Sequence, residues 1–148
     1  MIYKSPPVGS LIFSFMYGIN EKLIKNNTKL EEILYSALKE DNFKIIKKSK
    51  AEFEPYGLTL VTILSESHAL IHTYPEYNSL IFELYSCRGP NDGRKTYNYF
   101  EERVNPLHAF LNIAEVPVDP NYIVKDNTID KIRKANVINF FPQQHKTQ

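Results

Sequence analysis

Short stretches of apolar residues, separated by polar turns, predict several β-strands along the chain. Two of them, Leu58–Leu64 and Ser79–Cys87, are rich in leucine, isoleucine, valine and phenylalanine, as buried strands are. Leu11–Tyr17 has aromatic residues at alternate positions, which also favours a strand. Phe43–Lys48 and Leu107–Val116 have weaker patterns of the same kind. The chain is therefore expected to form a β-sheet.

In other parts of the chain, apolar residues recur every three or four positions, which predicts helices. Thr28 and Glu31 stand at the spacing of a capping box, so we expect a helix to open at Thr28. Its apolar residues share one face and its charged residues turn to water; the apolar face comprises Leu30, Ile33, Leu34, Ala37 and Leu38. A second helix is expected from about Lys95 to Val104, and a short third one at Ile129–Ala135.

The combination of strands and amphipathic helices predicts an α+β fold, with an antiparallel sheet covered on one face by helices. Tyr97 and Phe100 form an aromatic stripe on the second helix, which we interpret as core rather than as a binding site. A chain of 148 residues fits one domain. The other face of the sheet then needs a cover, and we expect a second copy of the chain to provide it as a homodimer.

The most reactive side chains gather in a polar stretch between the two buried strands, which reads S-E-S-H-A-L-I-H-T-Y-P-E-Y-N from Ser65 onward. We interpret it as a turn. His68 and His72 are four residues apart, a spacing that favours a metal site only on a helix, so no metal is expected. Ser67 lacks the G-x-S-x-G sequence of a hydrolase nucleophile. Taken alone, Cys87 is compatible with simple core packing.

Composition excludes several classes of function. A net charge of +1 gives no electrostatic basis for binding nucleic acid or an anionic membrane surface. No apolar run approaches the roughly 20 residues that span a bilayer, and the N-terminus lacks a signal-peptide pattern. The single cysteine cannot form an internal disulfide, which favours the reducing cytoplasm.

The polar stretch contains a specific motif. Glu66-Ser67-His68 is followed by I-H-T-Y-P-E-Y, and a cysteine stands eleven residues after Glu76. Together with the upstream sequence Phe53-x-Pro55-x-Gly57, this motif closely resembles the prokaryotic S-adenosylmethionine decarboxylase proenzymes. The strong part of the resemblance covers residues 53–87.

The resemblance implies that the chain cuts itself between Glu66 and Ser67 into residues 1–66 and 67–148. Ser67 would become a covalent pyruvoyl group, the cofactor, because its β-oxygen can both form an ester and leave from it. His72 matches the histidine that handles a proton during this processing. Thr59 stands where the family has a processing serine, and it keeps the hydroxyl but adds a methyl group and a stiffer χ1.

The same resemblance implies the decarboxylase chemistry. The pyruvoyl group would form a Schiff base with the amine of a small-molecule substrate, and Cys87 would be the general acid that protonates the product. Phe53 matches the aromatic residue that stacks on the adenine of the substrate. Glu76 matches the acid that binds the ribose hydroxyls, and Tyr74 stands where the family usually has tryptophan.

The sequence departs from the family in ways that leave the substrate open. Ser10 replaces a usual histidine, and the loop Arg88–Arg94 replaces a short segment after the cysteine. S-adenosylmethionine is the expected substrate, serving polyamine (spermidine) biosynthesis, whereas arginine or ornithine is the alternative. Two further alternatives are a non-catalytic regulatory partner of an active paralogue and a plain dimeric binding module.

Overall fold

The computed structural model of the chain describes residues 2–122. Six strands, three α-helices and one 3₁₀ turn make up this part of the chain. The strands are β1 (Val8–Tyr17), β2 (Ile45–Glu52), β3 (Leu58–Leu64), β4 (Ser67–Tyr74), β5 (Ser79–Ser86) and β6 (His108–Pro117). The helices are α1 (Glu21–Ile24), α2 (Asn27–Glu40) and α3 (Arg94–Val104), and the 3₁₀ turn is Pro75–Tyr77. The helix expected at Ile129–Ala135 lies outside the described residues.

The six strands form one antiparallel sheet in the order β2-β3-β4-β5-β1-β6. Strands β2 to β5 follow one another as neighbours, as consecutive strands commonly do. The N-terminal strand β1 lies between β5 and β6, and β6 is the edge strand on that side. The structure confirms the predicted α+β class with an antiparallel sheet.

Helices α2 and α3 cover one face of the sheet, which we call the core face. The five residues predicted for the apolar side of α2 are all buried there. Tyr97 and Phe100 of α3 pack on Phe82 of β5, with ring centroids 5.6 and 4.9 Å apart, so their assignment to the core is correct. Ser14 and the Tyr97 hydroxyl form a buried hydrogen bond of 3.1 Å. Burial raises the pKa of Tyr97 to about 12.

Two predicted element boundaries are wrong. Helix α2 begins at Asn27, because the side chain of Asn26 accepts a hydrogen bond from the amide of Lys29 and caps the helix. The capping box predicted at Thr28 does not form, and Glu31 binds Tyr35 instead. The strand expected at Phe43–Lys48 is displaced to Ile45–Glu52, since Phe43 is buried in the core cluster before the strand begins.

The polar stretch interpreted as a turn is largely a strand. Only Ser65 and Glu66 form the turn, and Ser67–Tyr74 is β4, in the middle of the sheet. Ala69, Ile71 and Thr73 are buried on the core face, whereas the residues between them point to the other side. This alternation of buried and half-buried residues is typical of a strand, so the prediction of a turn over the whole stretch is wrong.

The second face of the sheet, which we call the open face, carries many apolar side chains. Because side chains alternate along a strand, it receives the residues that neighbour the buried ones. These remain half-buried or exposed, and they include Leu11, Phe13, Phe15, Tyr17, Ile63, Leu70, Ile81 and Phe110. Tyr17 and Phe110 pack edge to face at 5.9 Å, which extends the aromatic surface onto β6.

Candidate active site

The Glu66–Ser67 peptide bond lies at the start of β4, beside the end of β5. Ser67 is the register partner of Ser86, and Cys87 follows directly after that strand. The Sγ atom of Cys87 lies 2.6 Å from the carbonyl oxygen of Glu66, toward which its S–H group points as a donor. The structure therefore places the single thiol of the chain on the carbonyl of the bond expected to be cut.

The hydroxyl of Ser67 is buried and has no hydrogen-bond partner among residues 2–122. Buried hydroxyls are normally paired, and leaving one unpaired costs about 1–3 kcal/mol. A pocket of about 170 Å³ adjoins this position, lined by Asn42, Phe43, Lys44, Ser65, Glu66, Ser67 and Arg88. An unpaired nucleophilic oxygen next to a polarised carbonyl is the arrangement that an acyl shift requires.

The N-terminal segment contributes a side chain that the sequence analysis missed. The hydroxyl of Tyr3 interacts with Cys87, and desolvation together with this contact raises the pKa of Tyr3. The segment is tied to the end of β6, because the carbonyl of Pro7 accepts hydrogen bonds from the amides of Val118 and Asp119. Nothing in the spacing of residues 1–9 indicates this contact, since it depends on β1 and β5 being neighbours.

A second cluster of predicted site residues lies on the open face of β3 and β4. The Oγ1 atom of Thr59 and the Nδ1 atom of His72 are 2.6 Å apart. The ring of Tyr74 lies 4.7 Å from the ring of His72, and the ring of Phe53 lies 6.4 Å from it on the other side. Phe53 is 48% exposed, so its face is available to a ligand.

Two pockets adjoin this second cluster. Tyr74 borders an aromatic pocket of about 300 Å³, lined also by Phe15, Tyr17, Tyr77, Ser79, Leu80 and Ile81. Glu76, in the 3₁₀ turn after β4, borders a pocket of about 430 Å³ whose lining includes Glu21, Lys25 and Tyr56. The exposed carboxylate of Glu76 is therefore next to a polar cleft.

The two clusters are far apart within one chain. Ser67 and His72 are five residues apart on a strand that rises about 3.3 Å per residue, a separation of about 16 Å. His72 pairs with Ile81, six residues before Cys87, which gives about 20 Å. Within a single chain, Cys87 and His72 are therefore too far apart to line one pocket. Ser67 and Cys87 form one cluster, and Thr59, Phe53 and His72 belong to the other.

His68, the remaining histidine of the motif, has its own partners on the open face. Its Nε2 atom lies 3.2 Å from a carboxylate oxygen of Glu83, and its ring stacks on Tyr85 at 5.6 Å. Within residues 2–122, no group of three or more histidine, cysteine, aspartate or glutamate side chains is arranged to hold a metal ion.

Comparison with known proteins identifies the family. The family model described as S-adenosylmethionine decarboxylase matches residues 12–115, most of the chain. The chain belongs to the S-adenosylmethionine decarboxylase family. It is 30% identical over 133 residues to the S-adenosylmethionine decarboxylase proenzyme of Sulfurihydrogenibium, which covers 88% of this chain and 97% of the relative. The resemblance inferred from the motif is confirmed.

Other relatives differ in the substrate that their names give. The arginine decarboxylase proenzyme of Pyrobaculum arsenaticum is 25% identical over 115 residues, covering 76% of this chain and 86% of the relative. The crystal structure of the adenosylmethionine decarboxylase from Aquifex aeolicus superposes with a TM-score of 0.70 at 26% identity, over 77% of this chain and 94% of that one. The curated relatives named here are decarboxylase proenzymes, which confirms the expected class of enzyme.

Within residues 2–122, no helix combines the length and the apolar character that a membrane crossing requires.

Proposed function

We propose that this chain is a self-processing, pyruvoyl-dependent decarboxylase of S-adenosylmethionine, which supplies the aminopropyl donor for spermidine synthesis in the cytoplasm. The observation that carries the proposal is the contact between Cys87 and the carbonyl oxygen of Glu66, next to the unpaired hydroxyl of Ser67. This group of atoms suits cleavage of one peptide bond, which would divide the single domain into residues 1–66 and 67–148.

Cleavage needs no external reagent until its last step. The Oγ atom of Ser67 attacks the carbonyl carbon of Glu66, and the thiol of Cys87 stabilises the negative charge that develops on the oxygen. The C–N bond breaks, which leaves an ester. His72 of the partner subunit, in the dimer proposed below, takes the proton from Cα of Ser67. The Oγ–Cβ bond then breaks and residues 1–66 leave as a carboxylate. Hydrolysis of the remaining dehydroalanine expels ammonia and leaves the pyruvoyl group.

The residues around Ser67 fit such a group. When formed, a pyruvoyl group supplies a conjugated carbonyl that accepts the electrons left behind as CO₂ departs. Cys87 stands beside this position with an S–H group, so it is the residue we assign to deliver a proton to the substrate carbon. The hydroxyl of Tyr3 interacts with the same thiol.

The separation of the two clusters supports a homodimer with composite sites. A substrate bound at Ser67 cannot reach Tyr74 of the same chain, since seven residues of strand separate them by about 23 Å. In our proposal, two protomers pack their open faces together around a two-fold axis that crosses the middle of β4. The Ser67 end of one protomer then lies over the His72 and Tyr74 end of its partner, which makes two equivalent sites.

The chemistry of the open face supports the same assembly. Its half-buried aromatic and aliphatic side chains form a broad apolar surface, and larger exposed patches of this kind mark interaction sites. A face-to-face dimer removes that surface from water. Within it, the His68–Glu83 pair supplies polar groups that fix the register of the two sheets.

Three residues support a nucleoside substrate. Phe53 offers an exposed ring for the adenine, Glu76 offers a carboxylate for the ribose hydroxyls, and Tyr74 supplies a second aromatic side chain. Arginine is the second candidate substrate, because the Pyrobaculum relative named an arginine decarboxylase proenzyme is similar over most of this chain.

The test of the proposal is self-cleavage of the purified protein. We expect two fragments on a denaturing gel, with masses that match residues 1–66 and 67–148, and a blocked end on the larger fragment. Ser67→Ala should stay intact because no oxygen is available to form the ester. Ser65→Ala, the matched control in the same turn, should be cut normally.

Two results would count against the proposal. An intact wild-type chain would exclude self-processing, and a Ser67→Ala chain cut at the same bond would exclude an ester intermediate. Complete cleavage without CO₂ release from S-adenosylmethionine, arginine or ornithine would instead favour the regulatory-partner alternative.

A further inference from the structure

The loop that follows Cys87 is fixed to the rest of the fold by Arg88. The Nε and Nη2 atoms of Arg88 donate to the two carboxylate oxygens of Asp92, at 2.7 and 3.1 Å. Nη2 also donates to the carbonyl of Asp41 at 2.8 Å, and the guanidinium lies 3.8 Å from the ring centre of Phe43. A bidentate pair held on two further groups has little freedom, so the carboxylate of Asp92 has a defined position.

Gly93 ends this loop and lets it approach the sheet. Its φ angle is 90°, in the left-handed region that favours glycine. A Cβ atom added there would lie 2.5 Å from a methyl group of Leu84. The loop therefore returns across the core face of β5, which brings Asp92 to the end of that strand.

Asp92 accepts a hydrogen bond from the hydroxyl of Ser86, with an O···O distance of 2.5 Å. Ser86 is fully buried, and its Oγ atom also accepts from the amide of Arg88 at 3.1 Å. A hydroxyl has one proton and two lone pairs. Ser86 has committed its proton and one lone pair, so one lone pair remains to accept another hydrogen bond.

Two buried hydroxyls without partners stand on either side of Ser86. Ser67 of β4 and Ser10 of β1 are its register partners on the two neighbouring strands. Directly opposed residues point to the same face, with Cβ atoms about 4.5–5.5 Å apart. The Oγ atoms of Ser10 and Ser67 are both buried and unpaired among residues 2–122. Rotation about χ1 is enough to bring the hydroxyl of Ser67 onto the free lone pair.

We infer that Ser86 and Asp92 form a proton relay that activates Ser67 for self-cleavage. This inference rests on the proposed self-processing and adds the base that it lacks. As Oγ of Ser67 bonds to the carbonyl carbon of Glu66, its proton passes to Ser86, and the proton of Ser86 passes to Asp92. The proton returns along the same groups to the nitrogen of Ser67 as the C–N bond breaks. The step is an isomerisation and needs no co-reactant.

Arg88 is a positioning residue in this scheme. It holds Asp92 at the distance from Ser86 that a proton transfer needs. Its hydrogen bonds within the described residues go to Asp92 and Asp41, and not to Ser67 or to the carbonyl of Glu66. The loop Arg88–Arg94, which departs from the family pattern, thereby acquires a role in maturation rather than in choosing the substrate.

The experiment follows cleavage over time after synthesis in a cell-free translation system, with the full chain separated on a denaturing gel. Ser86→Ala and Asp92→Asn should slow cleavage by about a hundredfold, the usual size of general-base assistance. Ser86→Thr keeps the hydroxyl and should retain most of the rate. Ser10→Ala is the matched control, because it removes the other unpaired hydroxyl and should cleave at least as fast as wild type.

A pH series separates a relay from a structural effect. A relay needs an ionised carboxylate at its end, so the wild-type rate should fall in acid, and Asp92→Asn should remove that dependence. Each substitution is also made in the Ser67→Ala chain, where thermal unfolding reports its effect on folding alone. If Ser86→Ala does not fold, Asp92→Asn and Ser86→Thr decide the question.

The outcomes distinguish this inference from the proposed function. An uncut wild-type chain contradicts self-processing itself. A wild-type chain that cuts, together with Ser86→Ala and Asp92→Asn chains that cut at the same rate, overturns the relay and leaves self-processing intact. Slow cleavage by Ser86→Thr as well would show that packing at this position, and not its hydroxyl, is what matters.

Discussion

The side chains of Thr59 and His72 face each other across β3 and β4, with 2.6 Å between Oγ1 and Nδ1. The pair is in register, so the strand pairing itself sets the distance. A hydrogen bond at Nδ1 orients the imidazole ring and leaves Nε2 for proton transfer. Threonine, in place of the serine that the family resemblance implies, therefore keeps this contact with His72, because the contact uses only the hydroxyl.

The first prediction concerns this contact. Thr59→Val keeps the shape of the side chain and removes the hydroxyl, so His72 should lose its orientation and elimination should slow by about tenfold, as expected for loss of one hydrogen bond. Thr59→Ser should cleave at the wild-type rate or faster. Intact mass spectrometry at timed intervals measures both, and equal rates for the valine and serine variants would contradict the role.

The second prediction tests the composite site. Ser67→Ala and His72→Ala chains, each defective alone, are expressed together with different tags. In a mixed dimer, one site combines the intact Ser67 of the second chain with the intact His72 of the first. Cleavage should therefore reappear, and only in the His72→Ala chain. If neither chain is cut in the mixture, each site draws its residues from a single chain and the proposed dimer is wrong.

The third prediction separates two uses of the thiol. Cys87→Ala removes the donor to the carbonyl oxygen of Glu66, so cleavage should continue but slow by about tenfold. Decarboxylation should be almost abolished, because the proton donor to the substrate is absent. Cys87→Ser keeps an O–H donor and should cleave faster than the alanine variant. Normal CO₂ release by fully cleaved Cys87→Ala protein would remove the assignment as general acid.

The fourth prediction concerns the substrate. S-adenosylmethionine, arginine and ornithine are offered separately to cleaved protein, and CO₂ release is measured. We expect S-adenosylmethionine to react, and Phe53→Ala to raise its KM, since the exposed ring would no longer stack on the adenine. Ile46→Ala, which removes an exposed apolar side chain of β2 that lines none of the pockets described above, is the control. Reaction with arginine alone would leave Phe53 and Glu76 without a nucleoside to bind.

The fifth prediction concerns stability and pH. A hydrogen bond from Tyr35 is the main cause that lowers the pKa of Glu31, and Lys50 and Lys48 lower it further. A carboxylate with a lowered pKa stabilises the fold at neutral pH, and this stabilisation disappears as pH falls through the folded-state pKa. Glu31→Gln should therefore lower the free energy of unfolding by about 1 kcal/mol at pH 7 and have little effect in strong acid.

The comparison for that measurement is Glu32→Gln on the same helix. The side chain of Glu32 is 63% exposed and lies 3.7 Å from Lys29, so its removal should change stability little at either pH. Melting temperatures recorded from pH 7 down to pH 3 distinguish the two residues. Equal effects of both substitutions at pH 7 would contradict the stabilising role of Glu31.

Local patterns in the sequence predicted the elements whose signals are local. The apolar spacing of α2 and the aromatic pair of α3 identified buried faces correctly, because helical periodicity alone decides which residues point inward. Strand β4 is hard to recognise from the sequence because His68 and His72 lie at half-buried positions of the open face, where an alternating pattern allows polar residues. The strand signal is carried by the buried positions between and beside them, Ala69 and Ile71. The cap at Asn26 was missed because Thr28 offered a competing signal.

The candidate site shows the same difference between what local patterns predict and what they cannot. The motif predicts roles for Ser67, His72 and Cys87, but the distances between them depend on strand register, which no local pattern contains. The contact of Tyr3 with Cys87 joins segments brought together only by the sheet order, whereas the contact of Asp92 with Ser86 depends on the path of the loop after β5.

The position of β1 has a consequence for the mature protein. The proposed cleavage after Glu66 would leave β1, β2 and β3 in one fragment, and β4, β5 and β6 in the other. Since β1 pairs with β5 on one side and β6 on the other, a strand of the first fragment would lie between two strands of the second. Neither fragment can complete this sheet by itself. Under the proposed self-processing, the backbone would therefore be cut after the sheet has assembled, and the two fragments would stay together as one enzyme without a covalent link.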